Sequence, residues 1–294
     1  MTVPAPRSPS LRVERALQRE GHRVLAGMDE VGRGALAGPV TVGVVVIDET
    51  CRTAPQGVRD SKLLAPHARE RLVPRIRRWA VAHAVGHASA EEIDEVGIIA
   101  ALRLAGCRAL TATGVRPDLV ILDGNHDWLT APRDVGLFAF TDEPVLTPPV
   151  TTMIKADLKC SSVAAASVLA KVTRDRIMVD LGAQVTEYGW VENKGYAAPE
   201  HMEALRRVGS SPWHRCSWRL PGAMDENGEP VPDTSDADAP ASDPAGPETM
   251  TEALEPPESS HLWTDSTTDV TQLNDVTPLN DLTPLNDLTR VGER

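Results

Sequence analysis

The 294-residue chain lacks the features that would place it in a membrane, outside the cell or around a thiolate-bound metal. No apolar run reaches the roughly 18 residues that a spanning helix needs. The opening stretch, MTVPAPRSPSLRVERALQRE, has no apolar core of a signal peptide. A soluble, cytoplasmic protein with no membrane attachment is therefore expected. The four cysteines, Cys51, Cys107, Cys160 and Cys216, stand far apart with no C-x-x-C pair. That spacing suggests neither a zinc site nor a disulfide scaffold and leaves them as small buried or half-buried residues. Positive charge is also lacking in sum: 42 acids against 30 Lys and Arg give a formal net charge of -12, which argues against a phosphate-bearing partner.

That sum averages unequal parts. Residues 222–294 hold 17 acids and two bases, a balance of -15, whereas residues 1–221 hold 28 bases and 25 acids, a balance of +3. Within the latter, the excess falls in residues 155–221, with 10 bases and 7 acids. The tail is poor in apolar residues as well: Leu, Val, Ile and Phe are about 15% of it, below the roughly 20% under which chains fail to collapse. It is expected to be disordered. Its end repeats with period six, as Leu273-Asn-Asp-Val-Thr-Pro, Leu279-Asn-Asp-Leu-Thr-Pro and Leu285-Asn-Asp-Leu-Thr-Arg. Pro278 and Pro284 break the copies, which are too few and too short for a solenoid. A solvated low-complexity segment is the plain reading, and a leucine-containing docking motif for an unknown partner is the sharper one. The expected organisation is an N-terminal extension over 1–21, one folded domain over 22–221 and the acidic tail over 222–294. A body of about 220 residues buries roughly 70% of its unfolded surface, enough for one core without staples.

Strand and helix patterns alternate along the body. Arg23–Met28 and Val40–Ile47 read as strands joined through the glycine-rich Gly32–Gly38, and Val81–Ala88 as a third. The unbroken apolar run Asp118–Asp123 suits a central strand covered on both faces, and Val150–Ile154 is another short strand. Helical spacing covers Pro66–Trp79, with an Arg-rich exposed side, Glu91–Thr113 with a break near Gly97, Ser161–Leu181 and Pro199–Val208. This order predicts an α/β fold with a mixed central sheet flanked by helices and a short helical segment at the C-terminal end.

Four acids stand where the chain changes element. Asp29 and Glu30 end the first strand, Asp123 ends the central strand before Gly124, and Asp157 precedes the long helix. Active sites of open α/β sheets gather outside strand ends. Each acid also has a plain alternative: Asp157 as a helix cap, Asp123-Gly124 as a turn. Together they leave carboxylates without obvious basic partners, and their repulsion raises their pKa values unless a cation intervenes. Mg2+ or Mn2+ supplies that cation, and two such ions about 3.5 to 4 Å apart clamp the attacking and leaving oxygens of a phosphodiester. Neighbours on an ideal strand point to opposite faces, so Asp29 and Glu30 share a site only if the strand bends or ends there. Gly32, Gly34 and Gly38 provide the backbone freedom for that bend and for close approach to a ligand.

The segment Gly27-Met-Asp29-Glu30-Val-Gly32-Arg33-Gly34-Ala-Leu-Ala-Gly38-Pro39 resembles the opening motif of bacterial ribonuclease HII. So do Asp60-Ser61-Lys62-Leu63-Leu64, Leu122-Asp123-Gly124, Lys155-Ala-Asp157-Leu-Lys159, the run from Ala164 to Arg176, Asn193-Lys194-Gly195-Tyr196 and His214-Arg215, in family order from about Val24 to Leu220. The resemblance implies a ribonuclease H-like fold and a monomeric endonuclease for RNA in RNA-DNA hybrids. It also implies cutting on the 5′ side of single ribonucleotides in duplex DNA, leaving 3′-hydroxyl and 5′-phosphate ends. It makes Asp29, Glu30, Asp123 and Asp157 the catalytic, metal-binding acids. Gly32, Arg33 and Gly34 become the loop laid against the ribose 2′-hydroxyl, the group that separates RNA from DNA. Tyr196 becomes the residue that stacks at the RNA-to-DNA junction.

Lys62, Lys155, Lys159, Lys171, Lys194 and Arg215 match family positions near the site. Lys62 and Lys159 are the candidates for phosphate contact. Their plain reading is surface charge, and for Lys171 an i,i+4 pair with Asp175. Ser161 and Ser162 could bind phosphate at the helix start, helix capping explains one of them equally well, and the small-residue run Ser162–Ser167 suits close packing on the sheet rather than chemistry. Trp213 and Trp218 read as core or rim, and His214 as structural. Ala156 departs from the family's usual glycine, which costs on the order of 1 kcal/mol if that position has positive φ. Ribonuclease HIII is set apart by its substantial N-terminal domain and Gly-Lys-Gly loop: here 28 residues precede Asp29 and Arg33 fills the middle. A catalytically silent hybrid-binding protein and another nuclease of the same fold are the alternatives. With two divalent ions bound, the body's balance would move from +3 to about +7, so the acidic sum is compatible with a nucleic-acid substrate.

Overall fold

The computed structural model describes residues 8–131 and 147–221. The acidic tail and its repeats, read above as disordered, lie outside the described residues. Five strands, β1 (Leu25–Val31), β2 (Val40–Ile47), β3 (Ala82–Ala88), β4 (Leu119–Asp123) and β5 (Val150–Met153), form one mixed sheet in the order β3-β2-β1-β4-β5. The first three pair antiparallel, while β1 with β4 and β4 with β5 are parallel. Six α-helices accompany them among the described residues: α1 (Arg12–Arg19), α2 (Pro66–Trp79), α3 (Ala90–Ala112), α4 (Ser161–Gln184), α5 (Trp190–Asn193) and α6 (Pro199–Val208). None is long and apolar enough to cross a membrane.

The period of two in β1 divides the core. Ala26 and Met28 pack on one face with Ala101, Leu102 and Ala105 of α3, whereas Leu25 packs on the other with Ile76 of α2 and Ala164 and Val168 of α4. Ser89 and Glu92 form a capping box at the start of α3, and Gly97 interrupts that helix at φ 78, where the sequence places a break. Helix α4 lies unusually close to the sheet. A Cβ at Gly27 would fall 2.4 Å from the Val163 nitrogen, and one at Gly43 would fall 2.3 Å from the Ala166 carbonyl oxygen. Bare strand positions and the small residues of α4 are thus two halves of one contact, as the small-residue run suggests. Asp29 follows Gly27 on the same face, so this approach brings Ser167 of α4 near its carboxylate.

The strand edges differ from the expected ones in an instructive place. β1 does not stop at Met28 but stays paired with β2 as far as Val31 opposite Thr41. Asp29 and Glu30 therefore lie inside a strand, and only its parallel side ends before them, at Met28 opposite Leu122. Helix α1 was not expected at all. It packs Leu17 against the body and is tied to it by Ser10, whose amide donates to the Lys159 carbonyl. Cys216 is exposed rather than buried or half-buried, and none of the four cysteines is paired.

Candidate active site

The parallel register places Asp29 and Asp123 as the next residues beyond the Met28–Leu122 pair, on neighbouring strands about 4.8 Å apart. The Asp123 Oδ1 atom accepts a 2.6 Å hydrogen bond from the Ala156 amide, which docks the one-turn 3₁₀ helix Ala156–Leu158, and with it Asp157, against the end of β4. Asp29 Oδ1 accepts from the Glu30 amide at 2.9 Å. Burial, then the charges of Glu30 and Asp123, push the Asp29 carboxyl well above the usual range, against an opposing hydrogen bond from Ser167. Burial also raises Glu30, with Arg33 opposing and Asp123 adding. Asp157 is raised to about 6 by burial, then by Asp123 and Asp60. The four predicted acids thus lie in one another's field although β1 stays paired with β2 through the first two.

Three observations bear on a cation here. The donors are all oxygen, the set suited to Mg2+ or Mn2+. Their protonation is favoured by mutual repulsion that a cation would remove. Glu30 Oε2 is buried without any hydrogen-bond partner, an acceptor left for something else. Among the described residues no three or more His, Cys, Asp or Glu side chains are already arranged as a metal-ligand set.

The Gly-Arg-Gly loop borders the acids, with exposed Arg33 in the field of Glu30. Gly32 has φ 84 and Gly38 φ 78, as their proposed role in a bend requires. Gly34 differs: its φ is not positive, and a Cβ there would meet nothing within 4 Å. Neither conformation nor packing within the described residues accounts for that glycine.

The basic residues divide sharply. Lys62 lies over the acids: burial alone would lower its pKa, but Asp29, Asp60, Asp157 and Asp123 outweigh that and raise it. Lys159 instead donates to the Ile154 carbonyl at 2.7 Å and is not among the leading charges acting on the acids. Lys171 makes the i,i+4 pair with Asp175 at 2.7 Å. Lys194 donates to the Val191 carbonyl. Arg215 is fully buried, so it is no surface phosphate contact. The helix-start reading of Ser161 and Ser162 is also corrected. Both are buried, and Glu14 of α1 accepts at 2.9 Å from both the amide and the hydroxyl of Ser162, taking the place a phosphate would need.

Tyr196 is half-buried, its ring centroid 5.2 Å from the Arg174 guanidinium and 5.8 Å from the Lys171 ammonium. Its carbonyl accepts from His201 Nδ1 at 2.8 Å. His214 Nδ1 accepts from the Ser211 amide, so its Nε2 carries the proton and donates to His201 Nε2 at 3.0 Å. Burial, then His201, lowers the His214 pKa to about 4. A neutral, buried pair that braces the Tyr196 segment fits the structural reading of His214. Trp213 is exposed and Trp218 lies under the Arg215 guanidinium, 4.9 Å from its ring centroid.

Sequence reasoning gave no site role to Asp60, Ser61, Ser167, Arg174 or Glu14. Asp60 is a fifth acid in the field of Asp157, and Ser167 donates to Ser61 at 2.8 Å beside Asp29. The only sequence cue to Asp60 and Ser61 was their place in an Asp-Ser-Lys motif.

The model of the family described as ribonuclease HII matches residues 26–220. A ribonuclease HII of Streptomyces avermitilis is 47% identical over 217 residues, covering 74% of this chain and 86% of the relative. One from Thermus thermophilus is 46% identical over 195 residues, covering 65% and 84%. The crystal structure of ribonuclease H2 from Pyrococcus horikoshii superposes with a TM-score of 0.52 at 28% identity, over 67% of this chain and 94% of that one. Bst-RNase HIII, solved in complex with Mn2+, shares the fold at a TM-score of 0.50 and 24% identity, over 65% and 63% of the two chains.

Proposed function

This chain belongs to the ribonuclease HII family, and from that premise we propose that Asp29, Glu30, Asp123 and Asp157 are the acids through which it acts. The protein is a metal-dependent endoribonuclease of ribonuclease H type 2, acting on nucleic acid. The observation that carries the assignment is the register of Asp29 beside Asp123, with Asp157 docked by the Ala156 amide and Glu30 Oε2 left without a partner.

Asp29, Glu30, Asp123 and Asp157 would hold the divalent ions, two of Mg2+ or Mn2+ with substrate bound. Such ions supply Lewis-acid charge at the phosphorus centre and activate water for in-line attack. The chain's own residues orient that chemistry. Ala156 fixes one oxygen of Asp123, and the Glu30 amide donates to one oxygen of Asp29. Lys62, exposed above the acids, is placed to meet a phosphate oxygen, and Lys159 is the weaker candidate for the same task. Gly32, Arg33 and Gly34 meet the ribose 2′-hydroxyl, and the open space at Gly34 supports close approach of a sugar. Tyr196 stacks at the junction from RNA to DNA. Cleavage then falls on the 5′ side of a ribonucleotide, whether in an RNA-DNA hybrid or alone in duplex DNA.

The test compares two duplexes that differ in a single 2′-hydroxyl. Cutting confined to the ribonucleotide duplex, and lost in Gly34→Val, supports the loop's role. Equal cutting of both duplexes would point to a nuclease of the same fold with another specificity.

A further inference from the structure

Two arginines lie fully buried behind the Gly-Arg-Gly loop, and among the described residues neither is within ion-pair distance of a carboxylate. Burying a guanidinium without a counter-charge is costly, so its donors need strong acceptors. Here they are backbone carbonyls. Arg215 donates to Gly32 at 2.6 Å, to Arg33 at 2.8 Å and to Gly38 at 3.1 Å. Arg174, from α4, donates to Pro39 at 2.8 Å, to Lys194 at 3.0 Å and to Ala37 at 3.1 Å. The contact is tight enough that a Cβ on Gly32 would fall 2.1 Å from Arg174 Nε.

The peptide plane fixes what this does to the loop. No cis peptide is present among the described residues, and in a trans peptide the N–H points opposite to the preceding carbonyl. Turning the Gly32 and Arg33 carbonyls inward onto Arg215 therefore turns the Arg33 and Gly34 amides outward. Neither amide has an acceptor among the described residues, and the space in front of Gly34 is open. Arg174 meanwhile ties the same loop to the Lys194 carbonyl and stands 5.2 Å from the Tyr196 ring.

We propose that Arg215, backed by Arg174, is a positioning residue for ribose selection: it holds the loop so that two outward amides meet the 2′-hydroxyl at a fixed distance from Tyr196. This rests on the reading of Gly32, Arg33 and Gly34 as the loop that meets that hydroxyl. Arg215 itself touches no substrate. Its removal loosens the loop and erodes the preference for ribonucleotide over all-deoxy duplex, while the acids stay in place.

The experiment measures affinity for a one-ribonucleotide duplex and for the all-deoxy duplex of the same sequence, with Ca2+ filling the oxygen-ligand sites. The full-length protein is compared with Arg215→Met, Arg215→Lys and, as a destabilised control remote from the loop, Ile76→Val. The unaltered protein should prefer the ribonucleotide duplex. Arg215→Met should lose about tenfold of that preference, as loss of a charge-assisted hydrogen bond implies, and Arg215→Lys should lose part of it. Ile76→Val should keep it despite a lower melting temperature. If Arg215→Met does not fold, Arg215→Lys decides by the same criterion. Folded Arg215 variants that keep the full preference overturn this proposal alone. An unaltered protein without any preference overturns the loop reading, and this proposal with it.

Discussion

The Ala156 amide donates to Asp123 Oδ1 at 2.6 Å, joining the turn after β5 to the end of β4. This bond fixes one oxygen of Asp123 and sets Asp157 beside it. It also bears on the alanine at a position where the family resemblance implies glycine. The left-handed residue is Lys155, at φ 57, and Ala156 is not at positive φ. Its methyl is buried with Ile121, Cys160 and Val163. Ala156→Gly is therefore expected to leave kcat/KM within about twofold and to lower stability by ~1 kcal/mol, through lost packing and added unfolded-state freedom. Steady-state cleavage and thermal melting check both parts. A large gain in activity would show that the alanine misplaces Asp157.

The raised carboxyls give metal binding a pH signature. A carboxyl whose folded pKa lies above its unfolded value binds more protons when folded, so its stabilising effect is present at low pH and is lost as pH rises through the folded value. For Asp157 that window runs from 3.8 to about 6, and the Asp29 carboxyl, also raised, acts in the same sense. Without metal, these acids weaken the protein at neutral pH, and a divalent ion relieves this. The increase in melting temperature on adding Mg2+ or Mn2+ should be larger at pH 7.5 than at pH 5, by roughly 2 to 4 °C per kcal/mol of relieved repulsion. Comparing increments matters because the neutral His201–His214 pair has lowered pKa values and loses stability as pH falls below 6.5 in either condition. An equal or larger increment at pH 5 would contradict the assignment.

Glu14 closes the start of α4 from a helix that precedes the sheet. Glu14→Ala leaves the buried amide and hydroxyl of Ser162 without their acceptor and should cost about 1 to 3 kcal/mol. Glu14→Gln keeps an acceptor and removes a buried charge whose second oxygen has no partner, so it should melt above Glu14→Ala. Equal melting of Glu14→Ala and the unaltered protein would exclude the capping role.

The strands and long helices were legible because their burial is one-sided or continuous. The apolar run before Asp123 became β4, the Pro66–Trp79 and Pro199–Val208 spacings became α2 and α6, and the break at Gly97 is present. The four acids stand out in the sequence, although Asp29 and Glu30 lie inside β1 and not at its end. How they meet was not legible, because it depends on register: β1 continues to Val31 while its parallel ladder with β4 stops at Met28. Residues whose burial inverts their usual preference were misread or missed. Arg215 reads from the sequence as one of several basic residues near the site, Ser162 stands between phosphate binding, helix capping and packing, and Arg174 and Glu14 are given no role. Their partners are backbone carbonyls, or a serine 148 positions away in the case of Glu14, and no local pattern announces such contacts.

The most direct test of the acid assignment maps the products from a duplex carrying one ribonucleotide, with Mg2+ and Mn2+ in turn, for the unaltered protein, Asp29→Asn and Asp123→Asn. The expected result is a single nick on the 5′ side of the ribonucleotide by the unaltered protein, with 3′-hydroxyl and 5′-phosphate ends. Each variant, folded and melting no lower without metal, should lose on the order of 10³ or more in rate. Full activity in both folded variants would contradict the assignment of these acids to metal and catalysis.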